Sequence, residues 1–416
     1  MFRCKVYGNT KGARHASFVE QARAEPVEPP YSDPRQIASM TMAGVDTDAL
    51  ASTSPRQLAA ADLKPGTPAW RVNVAMCAHQ FFGLVHNPEV AAAIGKPEPT
   101  PADPDSGPPK TVPFEPWSVA DFSKYLKTLG LPAAGEAVTL HRILNSMERA
   151  GLLLPLGWNP RLPIMGQQYI SQGAISKGQR GGNLWLSDAF GAELIIPSYN
   201  AVTVQLAGHD NDGNPVDSWG TGLVLDHNHV ITNKHVVTGL AGTSSGLSVY
   251  PARNHAEAEV MNVSATAHPH PTLDVAVIKF DMPEGKYIPR LGGMAFRDPD
   301  WADEVYVFGY PRVPMTAEMA ITVQRGEVVN PATATIPDRQ KIFLYSAIAR
   351  PGNSGGPIVA QDGRVIGLVV EDSAEAPSTG TGPNAPPFYR GIPSSEVIRA
   401  LDELDFGGIV EMDTLL

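Results

Sequence analysis

The spacing of hydrophobic and polar positions divides this chain into a helical half and a strand-rich half. Residues 1–65 scatter charges among Ala, Pro, Ser and Thr with no sustained period, which reads as a poorly ordered lead-in. Helix-compatible spacing begins at Trp70 and runs to Val85, and Pro88 to Ile94 extends it after a break. The stretch 96–113 (KPEPTPADPDSGPPKTVP) is too rich in proline for a helix or a central strand and reads as a linker. Ser118 is placed as the N-cap of a helix over residues 119–128, which Gly130 and Pro132 end. A longer helix follows over about Glu136 to Ala150, with Val138, Ile143, Leu144 and Met147 on one face and Gly151 as its stop.

Helix, turn, helix and a short strand after ERAGLL resemble a winged helix, so residues 66–155 are taken as a small helical, winged-helix-like domain. A DNA-recognition helix should be basic, but here Glu136 and Glu148 offset Arg142 and Arg149, which favours a protein-contact or packing module. Residues 156–196 are left as a connector. Within it 173–182 (GAISKGQRGG) reads as a flexible linker, with an autocleavage site as the alternative. From about residue 197 the pattern becomes short β-branched runs separated by turns. Strands are predicted over 201–206, 222–225, 230–232, 247–250, 258–263, 275–280, 304–308, 321–329, 341–345, 357–360, 365–370 and 389–392. So many short strands without βα alternation suit paired barrels or a sandwich, and a helix over residues 395–404, capped by Ser394 or Ser395, closes the pattern. No period of roughly 20–50 residues repeats, which excludes a solenoid or propeller.

Charge sharpens this division. Residues 1–160 hold 15 basic and 15 acidic residues, so residues 161–416 carry the whole net charge of −11. An acidic strand-rich half argues against nucleic acid as the partner, because phosphate binding needs a positive field. No apolar run approaches the roughly 20 residues of a membrane span, and the basic start lacks the apolar core of a secretory signal. The two cysteines, Cys4 and Cys77, both precede residue 197. A strand-rich domain without cysteine fits a reducing compartment, and the expected location is the cytoplasm.

The strongest chemical signal is Arg350-Pro-Gly-Asn-Ser-Gly-Gly-Pro357. Glycines around Ser354 permit a tight turn that exposes its hydroxyl and lets backbone N–H groups converge on one point. A Gly-rich β-turn without chemistry is the plain alternative. Gly352 to Gly356 also satisfies G-x-S-x-G, the turn that carries the nucleophile in α/β-hydrolases, but that fold places its histidine after the serine. All 11 histidines precede Ser354, the last being His270. The base therefore comes from upstream.

Gly220-Thr-Gly-Leu-Val-Leu and Val230-Ile-Thr-Asn-Lys-His235-Val resemble the strand pair that leads to the base of trypsin-like proteases. Pro271-Thr-Leu-Asp-Val-Ala-Val-Ile-Lys-Phe280 resembles their segment in which an aspartate opens a buried strand, and Gly309-Tyr-Pro311 resembles the G-x-P turn of the HtrA/Deg branch. The family resembled is thus the trypsin-like serine peptidases, over roughly residues 197–405, in the style of that bacterial branch. It implies an all-β, chymotrypsin-like double six-stranded barrel for 197–416, and a serine endopeptidase acting on protein or peptide substrates. It makes Ser354 the nucleophile, His235 its base and Asp274 the group that orients the imidazole. It places the oxyanion hole on the backbone N–H groups of Gly352 and Ser354, and substrate-pocket walls at Ile348, Val369, Val370 and Glu371 and near Tyr389–Gly391. No cofactor or metal is implied.

The departures are informative. Asn353 stands where trypsins carry an aspartate that captures a freed N-terminus, so activation by that cleavage is not expected. Ile348 occupies the place of trypsin's acidic specificity residue, which points to a small or medium apolar residue before the cut. About a dozen residues follow the last predicted helix, too few for a PDZ domain. Asp210-Asn-Asp-Gly-Asn214 has Pro215 where an EF-hand needs glycine and reads as a hairpin turn. The pairs His227/His229 and His268/His270 lack supporting ligands and read as loop histidines. Two functions remain open: an active peptidase whose N-terminal module senses or presents a target or binds a regulatory protein partner, and a DNA- or protein-binding regulator whose peptidase half is latent or cuts only itself.

Overall fold

The computed structural model describes residues 2–8, 63–83, 88–96, 116–173, 175–210, 215–243, 246–251, 259–284, 288, 290–313, 315, 320–370 and 388–413. The Pro-rich linker from 97 onward, the 211–214 turn and Glu371 lie outside them. Strand β1 (Phe2–Gly8) is followed by helices α1 (Pro68–Gly83), α2 (Pro88–Ala93), α3 (Val119–Thr128) and α4 (Ala137–Arg149). The hairpin β2 (Leu153–Trp158) and β3 (Gln167–Ser171) comes next, and α5 (Ala192–Asn200) leads to the strand-rich half.

Helices α1, α3 and α4 and the hairpin share one core, in which Phe81 stacks on Tyr125 with ring centroids 5.1 Å apart. Ser118 caps α3 as expected. Its Oγ accepts from Asp121 N at 3.2 Å, and Asp121 Oδ2 accepts from Ser118 N at 3.0 Å, a reciprocal capping box. On α4 the buried stripe is Leu140, Ile143, Leu144 and Met147, the i, i+3, i+4, i+7 set. Val138 is 67% exposed, because two residues from Leu140 is more than half a turn away. The boundary expected after residue 155 cuts through β2. Tyr169 of β3 is buried in the helical core, so the hairpin belongs to the small domain and completes a helix–helix–helix–hairpin order.

The remaining connector is not a loose tether. A Cβ on Gly178 would lie 2.7 Å from Ala295 Cβ, and one on Gly182 would lie 1.8 Å from Gly292 O. These glycines serve close packing against the strand-rich half. Gln179 is buried, and its Nε2 donates to Asp362 O at 3.0 Å.

Strands β4 (Thr203–His209), β5 (Pro215–Val224), β6 (His229–Thr232), β7 (Gly246–Pro251), β8 (Glu259–Pro269) and β9 (Ala276–Phe280) form the first barrel, with helix α6 (Lys234–Thr243) after β6. It closes through a seventh strand: β1 runs parallel to β7 and antiparallel to β8. The reading of 1–65 as a lead-in therefore fails at Phe2–Gly8, whose partners are distant in sequence. The second sheet holds β10 (Ala295–Phe296), β11 (Glu304–Gly309), β12 (Thr322–Ala334), β13 (Lys341–Tyr345), β14 (Pro357–Ala360), β15 (Val365–Val370), β16 (Tyr389–Pro393) and β17 (Glu411–Met412). Pairing of β14 with both β11 and β15 joins six of them into a ring, β14-β11-β12-β13-β16-β15. The chain thus has the double-barrel architecture, seven strands in one ring and six in the other.

Helix α7 (Ser394–Glu403) follows β16. Neither Ser394 nor Ser395 caps it through its own side chain. Ser394 Oγ donates to Val365 O at 2.8 Å, and Asp298 Oδ1 accepts the Ser395 N–H at 2.8 Å. Beneath it Arg297 pairs with Asp303 through two hydrogen bonds of 2.7 and 2.8 Å, and donates to Asp362 at 2.7 Å.

Candidate active site

His235 sits in the first turn of α6, directly after β6 delivers Thr232 to the barrel rim. Asp274 stands at the head of β9, presented by a turn that buried His270 shapes. The His270 Nδ1 accepts from Leu273 N at 2.9 Å, and the His270 N–H donates to Val275 O at 2.8 Å. An accepting Nδ1 leaves the proton on Nε2, which donates to Glu403 Oε2 at 2.8 Å. This bond and those from Arg399 hold Glu403 below the usual carboxylate range. His229 Nδ1 lies 2.9 Å from Asp226, and no cluster of metal-binding type occurs among the described residues.

Asp274 grips His235 at two points. Its Oδ1 accepts from the His235 backbone N at 2.9 Å, and its Oδ2 lies 2.7 Å from Nδ1. With an ionised carboxylate there, Nδ1 carries the ring proton and Nε2 is left as the basic nitrogen. Asn233 Nδ2 donates to Asp274 O at 2.9 Å and ties the β9 turn to the base of α6.

Ser354 comes from the second barrel, between β13 and β14, and is buried. Its turn is locked to the first barrel by glycines that cannot be replaced. At Gly355 (φ 81°) a Cβ would lie 2.2 Å from Thr232 Oγ1, 2.4 Å from Thr221 O and 2.9 Å from Asn233 N. The serine turn therefore packs directly on the residues that precede His235. At Gly352 (φ 98°) a Cβ would meet Tyr310 O at 2.4 Å and Trp219 Nε1 at 2.6 Å. Both positions need the left-handed backbone that glycine adopts freely. Thr221 bridges the barrels: its N–H donates to Ser354 O at 2.9 Å and its Oγ1 donates to Gly352 O at 2.7 Å, while Oγ1 accepts from Tyr310 N at 3.0 Å. Gly309, of the G-x-P turn, approaches Asn353 so closely that a Cβ would lie 2.8 Å from its Cα.

The expected pocket walls divide by strand face. Val369 points into the second core, and its backbone holds the serine turn through Gly355 N to Val369 O at 3.0 Å and Val369 N to Gly356 O at 2.9 Å. Val370, on the opposite face of β15, lines a cleft with His235 and Asp274. Ile348 is 46% exposed and does not line that cleft, whereas Arg390 of the Tyr389–Gly391 segment does. Thr221, Asn233 and His270 support the site in ways the motifs do not reveal. Thr221 and Asn233 lie inside those motifs, but nothing local says which side chains there would bond across barrels.

Residues 220–368 match the family model of the trypsin-like peptidase domain. The chain is 29% identical over 195 residues to the serine protease Do-like HtrA of Lactobacillus helveticus, covering 45% of this chain and 43% of that protein. It is 27% identical over 167 residues to the serine protease Rv3671c of Mycobacterium tuberculosis, covering 39% of this chain and 38% of that protein. It thus spans less than half the length of these relatives. Among solved structures, the serine endoprotease from Yersinia pestis aligns with a TM-score of 0.36 at 18% identity, over 50% of this chain and 63% of that one. With two barrels, an ordered His235, Asp274 and Ser354, and this family match, residues 220–368 belong to the trypsin-like serine peptidase domain family.

Proposed function

We propose that the chain is a serine endopeptidase with Ser354, His235 and Asp274 as its triad. The observation that carries this is the two-point hold of Asp274 on His235, at 2.9 and 2.7 Å, beside a serine turn packed on Thr232 and Asn233. His235 Nε2 takes the proton of Ser354 Oγ as the oxygen attacks the peptide carbonyl. Asp274 keeps the imidazole in that tautomer and stabilises the imidazolium. The N–H groups of Gly352 and Ser354 receive the oxyanion. The C–N bond then breaks, the amine leaves with the proton from His235, and water deprotonated by the same ring releases the acyl group from Ser354. The small domain is proposed to contact or sense the target: its hairpin exposes Leu154, Leu156 and Trp158, at 41, 40 and 46%, which suits a protein surface better than DNA. A cytoplasmic setting is part of the proposal, supported by the lack of cysteine in residues 197–416. The test is labelling with a fluorophosphonate probe. Wild type should label and Ser354→Ala should not; equal labelling of the two, or none of either alongside an inability to cut denatured casein, would sink the reading.

A further inference from the structure

Buried His270 stands between β8 and β9, four residues before Asp274, and the triad chemistry does not use it. The carbonyls of the turn that joins them are held from three places. Lys234 Nζ of α6 donates to Pro271 O at 2.8 Å, and Gln340 Nε2 from the β12–β13 turn donates to Thr272 O at 2.8 Å. Asn233 Nδ2 donates to Asp274 O at 2.9 Å. The turn's own N–H groups go to a single atom: His270 Nδ1 accepts from Leu273 N at 2.9 Å and from Thr272 N at 3.3 Å.

Turns of this kind ordinarily take Asn, Asp or Ser, whose short side-chain oxygen accepts such N–H groups. Histidine reaches them with Nδ1, which hangs on Cγ as the Asn oxygen does, and its ring carries a second nitrogen to the far side. An accepting Nδ1 needs the proton on Nε2, and Nε2 donates to Oε2 of Glu403, the last residue of α7, at 2.8 Å. Arg399, one turn back, donates to Glu403 Oε1 at 2.9 Å and steadies that carboxylate. The tautomer that closes the turn is thus the one that Glu403 selects. The position of Asp274 matters on the scale of one bond. Its Oδ2 lies 2.7 Å from His235 Nδ1, and a displacement of about 1 Å would carry that contact past hydrogen-bond range.

We propose that His270 is a positioning residue of the triad, locked by Glu403 in the tautomer that holds Asp274 against His235. The proposal rests on the endopeptidase reading and deepens it: α7, which supplies no member of the triad, sets how well the base is aligned.

The test replaces the two nitrogens of His270 one at a time. Asparagine keeps an acceptor at the place of Nδ1 and gives up the reach to Glu403, whereas glutamine keeps a donor toward Glu403 and gives up the acceptor. His270→Gln should lower kcat about 100-fold with little change in KM, the cost of about 1 Å of misplacement. His270→Asn should stay within about tenfold of wild type, because its oxygen closes the same turn. Glu403→Ala should lower kcat several-fold, and Glu403→Gln, which keeps an accepting oxygen, should match wild type. Thermal melts show which variants are folded. In parallel, nitrogen NMR of the imidazoles in Ser354→Ala reads the His235 ring directly. Its proton should stay on Nδ1 with His or Asn at position 270 and be shared between the two nitrogens in His270→Gln.

Hydrolysis by wild type with full kcat in folded His270→Gln, or an equal loss in His270→Asn, overturns the positioning role and leaves the endopeptidase reading standing. If neither buried variant folds, full kcat in Glu403→Ala, at an exposed residue, overturns it. No hydrolysis by wild type, but a His235 tautomer that changes in His270→Gln and not in His270→Asn, overturns the endopeptidase reading and leaves the positioning role. Neither hydrolysis nor such a change overturns both.

Discussion

Replacing Thr221 by valine keeps the shape of the side chain and removes one hydroxyl at the seam between the barrels. That hydroxyl donates to Gly352 O at 2.7 Å and accepts from Tyr310 N at 3.0 Å, in a fully buried place. Each orphaned backbone group costs about 1–3 kcal/mol, so a rigid site would lose about 2–6 kcal/mol. The Gly352 carbonyl loses the side-chain hydrogen bond that fixes its orientation, so the strain falls on the Gly352 turn. A shift there displaces the N–H that is proposed to receive the oxyanion, and loss of one such donor costs roughly 10²–10³ in kcat. Thr221→Val should therefore lower kcat by about that factor with little change in KM, because the donor is used chiefly in the transition state. Thr221→Ser keeps the hydroxyl and should stay within about tenfold of wild type. The assay is steady-state hydrolysis of a fluorogenic peptide, with thermal melts to show that each variant is folded. A folded Thr221→Val enzyme with wild-type kcat would refute the clamp, and so would an equal loss in Thr221→Ser.

Two further predictions concern stability and reactivity away from the site. Burial opposes ionisation of Asp303, but the Arg297 hydrogen bonds, the Asp300 N–H and the Arg297 charge outweigh it and hold the carboxyl below its usual value. Its contribution is therefore present above the unfolded value of about 4 and lost as pH falls through the lower folded value. Asp303→Asn should cost about 3–5 kcal/mol at neutral pH by leaving Arg297 underpaired, and should flatten the acid limb of a melting-temperature profile. An unchanged acid limb would count against it. Burial raises the Cys77 thiol to about 12, so iodoacetamide at pH 8 should alkylate it only after unfolding, which peptide mass mapping reads. Rapid alkylation of the native protein would contradict this.

Much of the site was legible because its signals are local. A serine among glycines, a histidine after a strand end and an aspartate before a buried strand each define their own turn, and the order along the chain excluded the α/β-hydrolase alternative. Helix α4 was placed nearly to the residue by its period, and strands β13, β14 and β15 matched their predicted bounds. Errors arose where the deciding partner is remote. Helix α6 was missed because KHVVTGLAGT has two glycines and β-branched residues, and packing against the barrel overrides that weak propensity. The glycines of GAISKGQRGG suggest flexibility, yet Gly178 packs against the Ala295 side chain and Gly182 against the Gly292 backbone.

What the sequence determined by itself is the family of the strand-rich half and its class of fold. Short alternating runs, their turns and three motifs in order require only neighbouring residues to be read. Tertiary structure alone decided that β1 closes the first barrel between β7 and β8, and that the hairpin at 153–171 belongs to the helical core. It also decided that Val370 and Arg390 line a cleft beside His235, while Val369 points into the second core. The physical reason is register. A strand's period says which residues alternate, but only the partner strand determines which face meets a core and which meets a substrate.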